Sequence, residues 1–231
     1  MYAISRRGFL GRMAGGVALA TVGSENAFSQ HAGQSLSRTA SPDFEPDVEL
    51  ELTAAPGSAQ LLPGEPTRLW RFTGNVLKGS ENAFRFLPDS TLPVIRVRDG
   101  QKIRIFFHNR LPEESIVHWH GLHIVQKMDG HPMYAIPSGE RFVYEFAVNN
   151  RPGTYWLHPH PHERTGPQVY FGLAGLFIVE DEAGQPGLPS GEFDRAWVLQ
   201  DRMFDKSNQL AYSRNHMAMM QGSTGDRMLV N

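Results

Sequence analysis

The chain has 231 residues and a mass of 25.9 kDa, with 40% hydrophobic and 20% charged side chains, which suits a packed core rather than a disordered charged tract. Its formal net charge of −2 and pI near 6.5 exclude a nucleic-acid binder relying on bulk positive charge. It contains no cysteine, so disulfides, zinc–thiolate sites, iron–sulfur clusters and a cysteine nucleophile are all excluded.

Residues 5–10 read SRRGFL, and the pair Arg6-Arg7 precedes the apolar, glycine-rich stretch GFLGRMAGGVALATVG. With the small-residue pattern Ala27-Phe28-Ser29, this resembles a twin-arginine export signal over residues 1–29, cleaved near Ser29. Arg12 interrupts the apolar run, which falls short of the roughly 20 residues a membrane span needs. The twin-arginine route carries folded, often cofactor-loaded proteins, so a periplasmic or extracytoplasmic metalloprotein is expected. Residues 30–47, in which Ser, Pro and Gln recur, read as a flexible arm.

Beyond residue 47, short alternating segments recur. ELELTAA and TRLWRF are strand candidates. In VIRVRDGQKIRIFF, Ile95 and Val97 alternate with Arg96 and Arg98, and Asp99-Gly100 supplies a turn. Ile103, Ile105 and Phe107 then resume against Lys102 and Arg104, which predicts a β-hairpin. SIVHWHGLHI, ERFVYEFAV, GTYWLH and GLAGLFIVE continue the series, with Phe142, Tyr144 and Phe146 on one face of the second. No helical period is sustained over three or four turns. Many short strands at close spacing argue an all-β sandwich or barrel.

Histidines are concentrated in two of these strands. His118-Trp119-His120 precedes Gly121, and about forty residues later comes His158-Pro159-His160, with His162 two positions on. Positions i and i+2 of a strand share a face, about 6.6 Å apart at Cα. Two such imidazoles can clamp one ion or reach two neighbouring ions, and spacing alone leaves both open. Imidazole-only ligation suits copper, zinc or iron, whereas calcium and magnesium prefer oxygen. One HxH arises readily by chance among ten histidines; two in strand-like segments beside Gly or Pro turns argue for a metal site.

HWHGLHI together with GTYWLHPHPHERTGPQVYFGLAGLFIVED resembles the N-terminal cupredoxin domain of the multicopper oxidases, in the bacterial laccase, bilirubin-oxidase and copper-efflux style. ELELTAAPGSAQLLPGEPTRLWRF, DGQKIRIFFHNRLP and Met128-Asp129-Gly130 fit the same domain, and the likeness runs from about residue 48 to the C-terminus. It implies a Greek-key, cupredoxin-like β-sandwich. It also implies copper as cofactor, as the type 2 and type 3 ions of a trinuclear cluster that reduces O₂ to water with electrons from a donor substrate, phenolic, bilirubin-like or cuprous. By motif position, His118 would bind the type 2 copper, His120 and His158 one type 3 copper, and His160 the other. Asp129 matches the family's acid near the cluster, thought to assist proton delivery, although Asp-Gly is also an ordinary turn.

The remaining candidates stay open. His162 either supports a ligand from behind or is turned outward by Pro161. His123, three residues past His120, would face the opposite side of a straight strand and reads as structural; His31, His108, His131 and His216 read as surface or loop residues. Trp119, Tyr155 and Trp156 read as core packing beside the histidines. Met217, Met219 and Met220 are either soft copper(I) ligands or gap-fillers.

The organisation expected is a cupredoxin-like domain over 48–182, a Gly/Pro-rich linker at 183–191, and at 192–231 the opening strands of an incomplete second domain. The family's type 1 copper needs a cysteine, and its two further histidine motifs have no counterpart after residue 162. The sequence thus reads as the N-terminal part of a copper-dependent oxidoreductase, holding half a site and inactive alone. Two other readings compete: a non-enzymatic periplasmic cupredoxin serving as a copper-binding or envelope scaffold module, and a mononuclear zinc or iron enzyme.

Overall fold

The computed structural model describes residues 39–181, 191–213 and 215–231. The export signal, the first part of the arm, and the linker except Gly191 lie outside the described residues.

Strand β1 (Val48–Ala59) shows the two-residue period plainly. Val48, Leu50, Leu52 and Ala54 are buried, while Glu49, Glu51 and Thr53 between them are half-buried on the other face. It pairs antiparallel with β2 (Thr67–Lys78) and parallel with β5 (Lys102–Asn109), which pairs antiparallel with β7 (Arg141–Ala147). The second sheet has five strands, in the order β3 (Phe84–Phe86), β4 (Pro93–Arg98), β9 (Gly175–Glu180), β8 (Gly153–Pro159) and β6 (Val117–His120). Trp119 of β6 joins the two layers. Its ring meets Tyr144 of β7 edge-on at 5.0 Å and touches Phe146 and Phe177. A fully buried indole removes on the order of 200 Å² from water, an upper figure of about 5 kcal/mol. The expected all-β sandwich is what forms.

The hairpin expected at VIRVRDGQKIRIFF does not form. Asp99-Gly100 does turn, but β4 pairs with β3 and β9, whereas β5 pairs with β1 and β7. The turn carries the chain from one sheet to the other. Both strands present an apolar face to the core, and alternation cannot distinguish a partner in the same layer from one across the core.

Residues 41–47, read above as the end of a flexible arm, are tied to the first sheet. The Arg104 guanidinium donates to Glu145 and Glu49 and to the carbonyls of Ser41 and Phe44, and it lies over the Phe44 ring. Among the described residues two short α-helices occur, α1 (Thr165–Tyr170) and α2 (His216–Gln221), and no helix there is long and apolar enough to cross a membrane.

Strands β10 (Leu199–Arg202) and β11 (Arg227–Val230) form a separate two-stranded sheet. This segment folds back on the sandwich. Arg202 Nε donates to the Tyr170 carbonyl, Thr67 Oγ1 donates to the Asn208 carbonyl, and Val198 packs against Leu87, Leu92, Val94 and Leu176. Its other face, carrying Trp197, Leu199, Met228 and Val230, is exposed.

Candidate metal centre

The edge strand β6 is held in place before it carries any chemistry. The Tyr144 hydroxyl accepts from Val117 N at 2.8 Å and donates to Val117 O at 2.9 Å, although Tyr144 is itself buried in the core. Upstream, the buried Gln168 accepts from the Ser115 hydroxyl and donates to Glu113 and the Glu114 carbonyl; Arg164 grips Glu113 with both arms. Gly121, with φ of 89°, ends the strand directly after His120. Past it, Asn150 accepts from His123 N and donates to the Gly121 carbonyl.

The register of β6 against β8 decides the site. His118 stands opposite His158, and His120 stands opposite Trp156. Since i and i+2 share a face, three imidazoles and one indole occupy the corners of a two-by-two grid. Ring centroids lie 5.5 Å apart for His118–His120, 5.2 Å for His118–His158 and 5.5 Å for His120–His158. One ring nitrogen from each of His118, His120 and His158 falls within 4.8 Å of the others. His160, just past the strand, bonds through its main-chain N to Ile116 O and brings its ring to 5.4 Å from His118 and 6.0 Å from His158.

Hydrogen bonds to main-chain carbonyls settle which nitrogens are free. His118 Nδ1 lies 2.7 Å from the Asp129 carbonyl, and His158 Nδ1 lies 2.9 Å from the Pro159 carbonyl. A carbonyl only accepts, so each Nδ1 carries a proton, and in a neutral ring Nε2 is then the nitrogen with the lone pair. His158 Nε2 faces His120 Nδ1 at 3.2 Å, and His160 Nδ1 is buried with no hydrogen-bond partner. Burial pushes His158 down from an ordinary 6.5 to about 4; the Pro159 carbonyl opposes this and the neighbouring imidazoles reinforce it. His158 is therefore neutral at ordinary pH, the form that ligates a metal.

Asp129 supports His118 through its main chain. Its Oδ1 lies 3.1 Å from His118 Nδ1, but the nearer carbonyl takes the ring proton, and this carboxylate oxygen is buried without a hydrogen bond. Burial raises the Asp129 carboxyl above its ordinary value, and the surrounding imidazoles partly offset that. Gly130 makes the approach possible. Its φ is 70°, and a Cβ there would sit 1.9 Å from Val117 O.

Other sequence candidates fall elsewhere. His162 is exposed on the turn after β8, outside the set of ring contacts that joins the four histidines. His123 is exposed beyond the end of β6, so an argument from a straight strand does not reach it. Trp119 is core, as expected, but Trp156 is not. It is 36% exposed and lies over His120 at 4.9 Å and His158 at 4.2 Å, with interplanar angles of 30° and 36°. Its place follows from the β6–β8 register, which the sequence does not print. Met217 and Met220 are exposed on α2.

Residues 76–184 match the family model described as multicopper oxidase. The chain is similar to the multicopper oxidase mco of Staphylococcus epidermidis, with 39% identity over 141 residues, covering 60% of this chain and 31% of the relative. It is also similar to the Escherichia coli cell division protein FtsP, at 27% identity, over 99% of this chain and 45% of that protein. Among solved structures, the McoA multicopper oxidase of the hyperthermophile Aquifex aeolicus superposes with a TM-score of 0.68 at 37% identity, over 81% of this chain and 39% of the other. The chain thus spans between about a third and a half of the length of these proteins.

Proposed function

Because the chain belongs to the multicopper oxidase family, we propose that it supplies part of the copper-binding shell of an oxidoreductase that couples one-electron oxidation of a donor substrate to reduction of O₂ to water. His118, His120, His158 and His160 would hold copper ions of a trinuclear cluster, with His118 on the type 2 ion and the others on the type 3 pair. The observation that carries the reading is the set of ring nitrogens itself. Two imidazoles held at Nδ1 by carbonyls with Nε2 left for another partner, a His120 nitrogen 3.2 Å from one of those Nε2 atoms, and a buried, unpartnered Nδ1 on His160 gather ring nitrogens where a metal could take their lone pairs. An imidazole set of this kind suits copper, and no carboxylate among the ligands argues for a harder ion.

Bound copper supplies the one-electron chemistry and the site of oxygen reduction. The chain's own contribution is to gather four imidazoles, two of them held at Nδ1 by main-chain carbonyls, and to keep a protonatable carboxyl beside them. Asp129 is suited to hold a proton there, since its burial favours the neutral acid. The family's type 1 site uses a thiolate, and these 231 residues hold no cysteine, so laccase-level turnover by these residues alone is not expected. We place the protein outside the cytoplasm, exported by the twin-arginine route, on the strength of SRRGFL. Unchanged export after replacing Arg6 and Arg7 by Lys would end that assignment.

A second reading, a non-enzymatic envelope module, draws on the likeness to the cell division protein FtsP. Metal analysis separates the two. The copper reading expects the purified chain to bind copper in preference to zinc, and His118→Ala and His158→Ala each to weaken that binding more than about 100-fold, beyond the 10- to 100-fold typical of a lost supporting group. Copper binding that ignores both substitutions would leave the scaffold reading standing.

A further inference from the structure

We infer that Trp156 is a positioning residue for His120, serving where His118 and His158 have a main-chain carbonyl and His120 has none; this rests on the copper reading above. His118 and His158 are each oriented by a main-chain carbonyl at the nitrogen that faces away from the site. His120 has no such partner. Among the described residues, its ring nitrogens meet only His158 Nε2. It is also exposed, at the last position of a four-residue edge strand. The single contact to His158 at 3.2 Å holds one edge of the imidazole, and a flat surface against the ring is what limits its tilt.

Trp156 is that surface. The register sets it directly across from His120, and its ring lies against the imidazole at 4.9 Å and 30°. The same indole lies against His158 at 4.2 Å and 36°, so one ring orients the two imidazoles whose nitrogens approach to 3.2 Å. An indole cannot itself be a ligand, because its nitrogen only donates. Nor does burial in the core account for its place: Trp156 borders a cavity of about 920 Å³ lined also by His158, Tyr170, Arg202 and Tyr212. Contact between flat rings adds to what area burial gives and favours one ring orientation.

The test compares Trp156→Phe, which keeps a flat ring, with Trp156→Leu, which keeps apolar bulk without one. Copper(II) affinity is measured on the whole chain by competition with a chelator, and His120 ring nitrogen shifts are read by NMR on the metal-free protein. The expected result is a Phe variant within about threefold of wild type and a Leu variant 10- to 100-fold weaker, the range for lost supporting groups. The His120 signals should stay fixed with Phe and become averaged with Leu. Equal affinity for Leu and wild type, or equal loss in both variants, overturns the inference. A wild-type chain that binds no copper would instead overturn the copper reading, and the metal-free His120 signals would still judge Trp156.

Discussion

His118 and His158 stand directly opposite each other in an antiparallel strand pair, their rings 5.2 Å apart, and each gives its Nδ1 proton to a main-chain carbonyl. The two carbonyls come from different places. Pro159 O belongs to the residue next to His158, whereas Asp129 O arrives from a loop eleven residues past His118. One tautomer is thus set locally and the other by tertiary packing, and the packing arm is the easier to break.

Gly130 is where it breaks. Gly130→Ala introduces a Cβ at 1.9 Å from Val117 O on a backbone with φ of 70°. The expected cost is on the order of 3 kcal/mol, from clash and left-handed strain together. Chemical denaturation measures the loss, and copper affinity should fall in parallel because the Asp129 carbonyl is pushed off His118. An alanine variant as stable as wild type would show that the loop does not press on β6 as described.

Asp129→Asn should behave differently. The bond to His118 uses the main-chain carbonyl, which the substitution leaves in place. Copper affinity is expected to stay within about threefold of wild type, far less than the 10- to 100-fold typical of a lost supporting bond. Within a complete oxidase carrying this domain, the same change should slow oxygen reduction by removing a proton-holding group. A large loss of copper in the Asn variant would place the carboxylate among the ligands.

The pH dependence of the metal-free chain follows from His158. Its folded pKa is about 4 and its ordinary value 6.5, so between these limits the unfolded chain takes up a proton that the folded chain refuses. Stability therefore falls as pH drops from 6.5 toward 4, by at most about 1.4 kcal/mol per pH unit from this group, and the decline from it ends below 4. Denaturation midpoints at pH 7, 5.5 and 4.5 measure it, with His158→Gln expected to flatten the slope. A slope identical in wild type and variant would mean that His158 is not held neutral.

Tyr144→Phe removes both bonds to Val117 and leaves a buried main-chain N–H and carbonyl unpaired. The expected loss is about 2–4 kcal/mol, with β6 loosened at its start. Urea titration reads the stability, and hydrogen exchange at Val117 reads the local opening. Unchanged exchange there would show that the strand is fixed by other contacts.

The sequence by itself determined the elements and the chemistry. Leu50, Leu52 and Ala54, or Phe142, Tyr144 and Phe146, declare strands because side chains alternate at a period of two, which any sheet must respect. His118 and His120, like His158 and His160, share a face for the same reason, which is what the proposed ligand set rests on, and the absence of cysteine narrows what can be bound. Partnership was beyond its reach. That β4 and β5 belong to different sheets, that Trp156 falls opposite His120, and that the Asp129 carbonyl rather than its carboxylate meets His118 Nδ1 depend on register, crossover and loop path. Alternation fixes which face of a strand is apolar but says nothing about what that face meets. The tertiary structure decides this, because only the antiparallel pairing of β6 with β8 brings segments some forty residues apart to contact distance, and the packing of Trp119 on Tyr144 sets what the buried face of that pair meets.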